Sequence, residues 1–202
     1  MNYLAHLYLA EVTSTSLVGN FLGDFIKGRV AKANLPVAIE AGVYLHRKID
    51  VFTDAHPVVL RSRTRISKIR RRYAGIVIDM AYDHFLALNW SNYCDKSLAK
   101  FVHEFHCELE SHFQQLPDSS KQIVPYLIKD NWLENYQSIT GISFGLDGIS
   151  RRMNRRFNRV NPLLNSSEEI TENFEELQQD FFEFFPDLVE YTKQQVSYSS
   201  IK

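Results

Sequence analysis

Cysteine is almost absent from this chain, charge of either sign is in no excess, and no apolar run goes uninterrupted for long. Each lack removes a class of protein. The two cysteines, Cys94 and Cys107, lie thirteen residues apart with no CxxC spacing. That excludes a disulfide framework and a thiolate zinc finger, and it points to a reducing, cytoplasmic setting. With 23 basic residues against 24 acidic ones, the chain is no globally basic nucleic-acid binder, so any electrostatic partner has to be met by a local patch. No stretch reaches the roughly 18 uncharged apolar residues of a membrane span. The apolar N-terminus MNYLAHLYLAEVTS carries no basic segment and is interrupted by His6 and Glu11, so it does not read as a signal peptide. The expectation is a cytoplasmic protein with no nucleic-acid and no membrane partner.

What is present is helical pattern. A chain of 202 residues, 45% hydrophobic and 13% aromatic, can bury one sizeable core, and a single domain over 1–202 is expected. In SLAKFVHEFHCEL, Leu98, Phe101, Val102, Phe105 and Leu109 recur at i, i+3, i+4, i+7 and i+11, the spacing of one helix face. EEITENFEELQQDFFEFF carries a second stripe through Ile170, Phe174, Leu177 and Phe181, and the pair Ser166 and Glu169 predicts a capping box at its start. Breaks are expected at sites such as LPDSS (116–120), NP (161–162) and FP (185–186). Only GIVI resembles a strand. The fold class predicted is all-α, a single-domain bundle of roughly eight to ten helices.

Three apolar helices carry polar edges. AGIVIDMAYDHFLAL is apolar on nearly every side yet holds Asp79, Asp83 and His84; at about 100° per residue, Asp79 and Asp83 share one edge and His84 follows on its flank. GNFLGD places Asn20 and Asp24 four apart, and LHRKIDVFTDAHP places His46, Asp50 and Asp54 at four-residue steps, beside Arg47 and His56. A carboxylate in such a setting takes up a proton or finds a cation. Carboxylate with imidazole and no thiolate suits Mn²⁺, Fe²⁺ or Mg²⁺. Bland readings stand beside this one: His46 and Arg47 can be ordinary helix partners of Asp50, Asp54 and His56 can cap the helix that Pro57 begins, and His6 alone reads as a core histidine. Convergence of all three edges is the reading adopted.

Two basic stretches concern a partner. RSRTRISKIRRR holds Arg61, Arg63, Arg65, Arg70, Arg71 and Arg72, and RRMNRRFNR holds Arg151, Arg152, Arg155 and Arg156, neither with an acid. They suit docking of an acidic protein, or they pair with the acidic segment that begins at Glu168.

MNYLAHLYLA, GNFLGDFIKG, YLHRKIDVFTDAHP and GIVIDMAYDHFLALNW resemble, in order and spacing, the bacterial acyl-carrier-protein phosphodiesterases, or holo-ACP hydrolases. The likeness is specific over about the first 90 residues. That family is similar to the HD-domain metal-dependent phosphohydrolases, an all-α group, although here the pair is reversed as Asp83 and His84. The resemblance implies hydrolysis of the phosphodiester joining 4′-phosphopantetheine to a serine of the acyl carrier protein, with Mn²⁺ the favoured metal. On that basis Asp24, His46, Asp50, Asp83 and His84 are expected as metal ligands, Arg47 as the cation for the phosphoryl oxygens, and Asp79, Asp54 or His56 as the group that orients water or protonates the serine oxygen. The arginine stretches are expected to meet the carrier. A metal-dependent hydrolase of a small nucleotide-type phosphodiester and a non-catalytic adaptor for an acidic protein are the alternatives.

Overall fold

The computed structural model describes residues 3–30, 34–157 and 163–199, with the side chains of 155–157 and 198–199 undescribed. Its elements are α1 (Tyr3–Val12), α2 (Leu17–Leu22), α3 (Val37–Ala55), α4 (Pro57–Arg65), α5 (Ala74–Leu88), α6 (Leu98–Ser111), α7 (Asp118–Lys121), α8 (Val124–Lys129), α9 (Trp132–Asn135), α10 (Ile139–Phe157), α11 (Ser167–Glu172) and α12 (Phe174–Ser199). No strand occurs among the described residues, and GIVI lies inside α5. The helical segments outnumber the expected eight to ten because the chain between α6 and α10 is cut short repeatedly. Pro117 and Pro125 start new turns there, and Asn131 takes a left-handed conformation at φ 46°.

α5 is the central helix. Val77, Ile78, Met80, Ala81, Tyr82, Phe85 and Leu86 are all buried, which follows from a sequence apolar on every side. It touches α1, α4, α10, α11 and α12. α12 lays Phe181, Phe184 and Phe185 against Tyr8, Tyr82 and Tyr93. The predicted stripe of α6 is buried throughout.

Two local expectations fail. α12 runs straight through Pro186 rather than stopping at Phe185. A proline inside a helix costs about 3 kcal/mol, and the buried residues on either side, Phe184, Phe185 and Leu188, hold the helix across it. The Ser166 capping box is also absent, since the Ser166 side chain makes no cap bond. Glu169 instead accepts from the Ser67 amide at 2.9 Å and from Arg70 at 3.0 Å, so a tertiary contact has taken the carboxylate a local motif would have used.

The same pull explains the first arginine stretch. Asp180 of α12 is only 1% exposed, and an unpaired charge there is costly. Arg61 donates to it from Nε and Nη2 at 2.9 and 2.7 Å, Arg65 from Nε at 2.8 Å, and Ser62 from its hydroxyl at 2.7 Å. Burial works to raise the Asp180 pKa, and the bonds from Arg65, Ser62 and Arg61 overcome it and hold it low. Arg61 also reaches Glu183, Arg63 pairs with Asp54, and Arg71 donates to the Thr64 carbonyl. Arg61, Arg65 and Arg70, expected to dock a partner, are therefore committed to closing α4 and its following turn onto α11 and α12. Arg72 is exposed. No helix among the described residues is long and apolar enough to cross a membrane.

Candidate functional site

The site is built where α2 meets α3. Ser16 caps α2 by accepting from the Gly19 amide at 2.9 Å, and the two helices then touch backbone to backbone. A Cβ on Gly19 would lie 2.4 Å from the Ile39 carbonyl oxygen, and one on Gly42 would lie 2.8 Å from Gly19 Cα. Only glycine at both positions permits that approach. It brings the Asn20 carbonyl within 2.8 Å of His46 Nδ1, which donates to it. A proton fixed on Nδ1 leaves Nε2 as the working nitrogen, the arrangement that orients a metal-binding or proton-accepting imidazole.

Gly23 finishes the cradle. A Cβ there would stand 2.1 Å from His46 Cγ, so the ring occupies the space that any other residue would fill. Gly23→Ala is therefore expected to displace the imidazole and lower kcat by about a hundredfold, with KM for the substrate changed far less. Steady-state kinetics checks it, and wild-type kcat would show that the ring position does not matter to turnover.

Around His46 Nε2 the other groups assemble. Asp50, one turn further along α3, presents Oδ2 to His46 Nε2 at 3.1 Å and Oδ1 to His6 Nε2 at 3.1 Å. Asp24, in the turn after α2, places Oδ1 3.7 Å from His46 Nε2. The rings of His6 and His46 stack with centroids 3.7 Å apart and planes 16° apart. His6, His46 and Asp50 offer one ligand atom each, all within 4.8 Å of one another. Both imidazoles are buried, whereas Asp50 and Asp24 are 39% and 49% exposed. The cluster thus has a closed back and an open front.

Its electrostatics divide the two rings. Burial, reinforced by His46, pushes His6 down to about 4. Burial also opposes charge on His46, but bonds to Asp24 and Asp50 overcome it and lift His46 to about 9. Asp50 is held well below the usual carboxylate range by the two histidines against its own burial. His6 Nδ1 is buried with no hydrogen-bond partner. Two imidazoles on one carboxylate, with the single positive charge on His46, form a donor set that fits a divalent cation in place of that proton.

The structure thus brings together Asp24, His46 and Asp50 of the residues singled out in the sequence, and it adds His6. An imidazole as the first ionisable group of an apolar helix was the available signal for His6, and it equally described a core residue. Asp79, half-buried on α5, lies within the electrostatic reach of Asp50 and Arg63, and burial raises its pKa. The other expected members are occupied elsewhere. Asp83 is fully buried and accepts from the Leu4 and Ala5 amides at 2.8 and 3.1 Å, capping α1. His84 donates from Nδ1 to the Tyr136 carbonyl at 2.6 Å and packs on Phe174. Arg47 spends its fork on the carbonyls of Ile26 and Gly28 at 2.7 and 2.8 Å, pinning the loop that follows Asp24. His56 caps α4 by accepting from the Val58 amide at 3.3 Å and faces Asp187 at 3.4 Å, while Asp54 holds Arg63. Arg151 lies over the Phe144 ring and Arg152 over the Trp132 ring. Arg155 and Arg156 fall outside the described side chains.

No solved structure matches this chain. Sequence comparison does find relatives. A protein of Photorhabdus laumondii named acyl carrier protein phosphodiesterase is 37% identical over 156 residues, covering 77% of this chain and 78% of its own. Proteins of the same name from Yersinia enterocolitica (38% over 153 residues, 75% and 79%) and Serratia proteamaculans (37% over 156 residues, 77% and 80%) are similar. The family profile described as acyl carrier protein phosphodiesterase matches residues 1–188, a span that takes in every residue of the cluster, and the chain belongs to that family.

Proposed function

We propose that this enzyme is a metal-dependent phosphodiesterase that removes 4′-phosphopantetheine from the serine of holo acyl carrier protein. The observation that carries the reading is the cluster of His6, His46 and Asp50 at the open end of a glycine-built cradle, in a chain whose relatives bear that name. In the reaction a water oxygen bonds to phosphorus, the bond from phosphorus to the serine oxygen breaks, and that oxygen takes up a proton. The products are apo carrier and free 4′-phosphopantetheine.

His6, His46 and Asp50 would hold the cation, with Asp24 beside them, and Mn²⁺ is the metal we favour. When bound, a divalent cation supplies charge stabilisation at the phosphoryl oxygens and acidifies water. The chain's own groups do the rest. The Asn20 carbonyl fixes the tautomer of His46. Asp24, about half exposed and held ionised by its bond to His46 despite partial desolvation, is suited to accept a proton from water at the open face. Asp79, whose burial favours the protonated carboxyl, is suited to give a proton to the departing serine oxygen. One imidazole from α1, with a second imidazole and a carboxylate from α3, also supports the likeness to HD-type phosphohydrolases.

The test is the intact mass of holo carrier after incubation with the purified protein, with Mn²⁺ and with excess chelator. Loss of one phosphopantetheine with Mn²⁺ and none with chelator is the expected result. Retention of the full mass in both, alongside cleavage of small phosphodiesters, would move the reading to a nucleotide-type substrate.

A further inference from the structure

A cavity of about 490 Å³ opens between α1, α5, α9 and α10, with Tyr3, Met80, Trp132, Phe144, Gly148 and Arg152 among its walls. Its size falls in the range of roughly 300–1,000 Å³ typical of sites for small organic molecules. We propose that this cavity seats the pantetheine arm of the carrier, with Arg152 at its phosphate end; the inference rests on the substrate class proposed above and adds the place where that substrate lies.

Position is the first argument. Tyr3 and His6 are three residues apart on α1, so their side chains are neighbours, with Cβ atoms about 5–6 Å apart. Tyr3 also packs at a tilt against Phe21 and stacks on Phe25, the residues on either side of the Gly23–Asp24 turn. Its phenol is influenced by both the Asp24 carboxylate and the Arg152 guanidinium. Tyr3 therefore stands between the cavity and the histidine cluster, and a chain anchored at the cluster by its phosphate would pass it to enter the cavity.

Chemistry is the second. A pantetheine arm is an extended chain with apolar methyl groups, two amides and one charge at its phosphate. The cavity offers aromatic surface, and Ser138 and Thr140 among its walls supply polar groups for the amides of the arm. Arg152 is exposed and rests over the Trp132 ring at 5.9 Å, where it can meet a phosphoryl oxygen. That duty cannot fall to Arg47, whose fork is already engaged. The glycines of α10 supply the room. A Cβ on Gly148 meets nothing closer than Arg151 Nη2 at 4.0 Å, so a glycine is kept in mid-helix, at about 1 kcal/mol relative to alanine, where the fold itself does not need one.

That spare space makes the test clean. Gly148→Leu fills the cavity without striking the backbone, and Arg152→Ala removes an exposed charge. Binding of holo and apo carrier to the full-length protein is measured under chelation, by calorimetry, for wild type and both variants, and KM for holo carrier is measured with Mn²⁺. Wild type is expected to bind holo carrier about tenfold tighter than apo, and Gly148→Leu to erase that difference while raising KM about tenfold. Arg152→Ala is expected to raise KM by several-fold. Equal binding of holo and apo carrier by wild type, or an unchanged preference in Gly148→Leu, overturns the cavity assignment. Failure of wild type to cleave holo carrier overturns the proposed function instead, and the preference for holo over apo carrier still decides the cavity.

Discussion

Asp50→Asn is expected to lower kcat/KM by at least about 10³-fold, the equivalent of some 4 kcal/mol of transition-state stabilisation, and to strip the protein of bound metal. Asp50 touches both rings, with one oxygen 3.1 Å from each Nε2. Asparagine keeps the shape but offers one neutral oxygen and, on the other arm, a hydrogen-bond donor. A donor aimed at the place of a cation can neither bind nor neutralise it. Because Asp50 is partly exposed and sits at the mouth of the cluster, helix content and melting temperature are expected to stay near those of wild type. Wild-type turnover in this variant would remove the cluster from the chemistry.

Asp83→Ala is expected to act on the fold instead, lowering the melting temperature by about 10 °C. Two buried amide donors, those of Leu4 and Ala5, lose the carboxylate that accepts from them, and each unsatisfied donor costs roughly 1–3 kcal/mol. α1 carries Tyr3 and His6, so activity falls with it. Burial also lifts the Asp83 carboxyl to about 7, although the two amides pull the other way. A carboxyl raised above its unfolded value binds its proton more tightly when folded. Its contribution is thus complete below about pH 4 and is lost as pH rises through about 7. Because His6 and His46 also titrate across this window, the check is the difference in thermal unfolding between wild type and Asp83→Asn from pH 4 to 8, which should shift against wild type as pH rises towards about 7. An unaltered melting temperature in Asp83→Ala would mean that α1 is held by its apolar face alone.

Asp83 also marks the limit of what sequence spacing can say. A carboxylate in an apolar helix announces a partner but not its kind. Here the partner is a helix N-terminus almost eighty residues away, which no local pattern reveals. The stripes of α6 and α12 were legible because burial on one face imposes a period. His46 and Asp50 were legible because i,i+4 spacing on one helix is geometry, and Asp24 followed from the same spacing in GNFLGD. His6 was not, since a single imidazole in a buried helix has no periodic partner. Arg61, Arg65 and Arg70 were not legible for the opposite reason. Their charge was plain, but whether it faces a partner or Asp180 depends on where α12 returns, and that is decided by its phenylalanines.

The most direct measurement is pulsed electron paramagnetic resonance of the protein loaded with Mn²⁺. Modulation from two imidazole nitrogens in wild type, falling to one in His6→Ala and in His46→Ala, is the predicted result. A bound Mn²⁺ signal without nitrogen coupling, or coupling untouched by both substitutions, would contradict the assignment of the metal to this cluster.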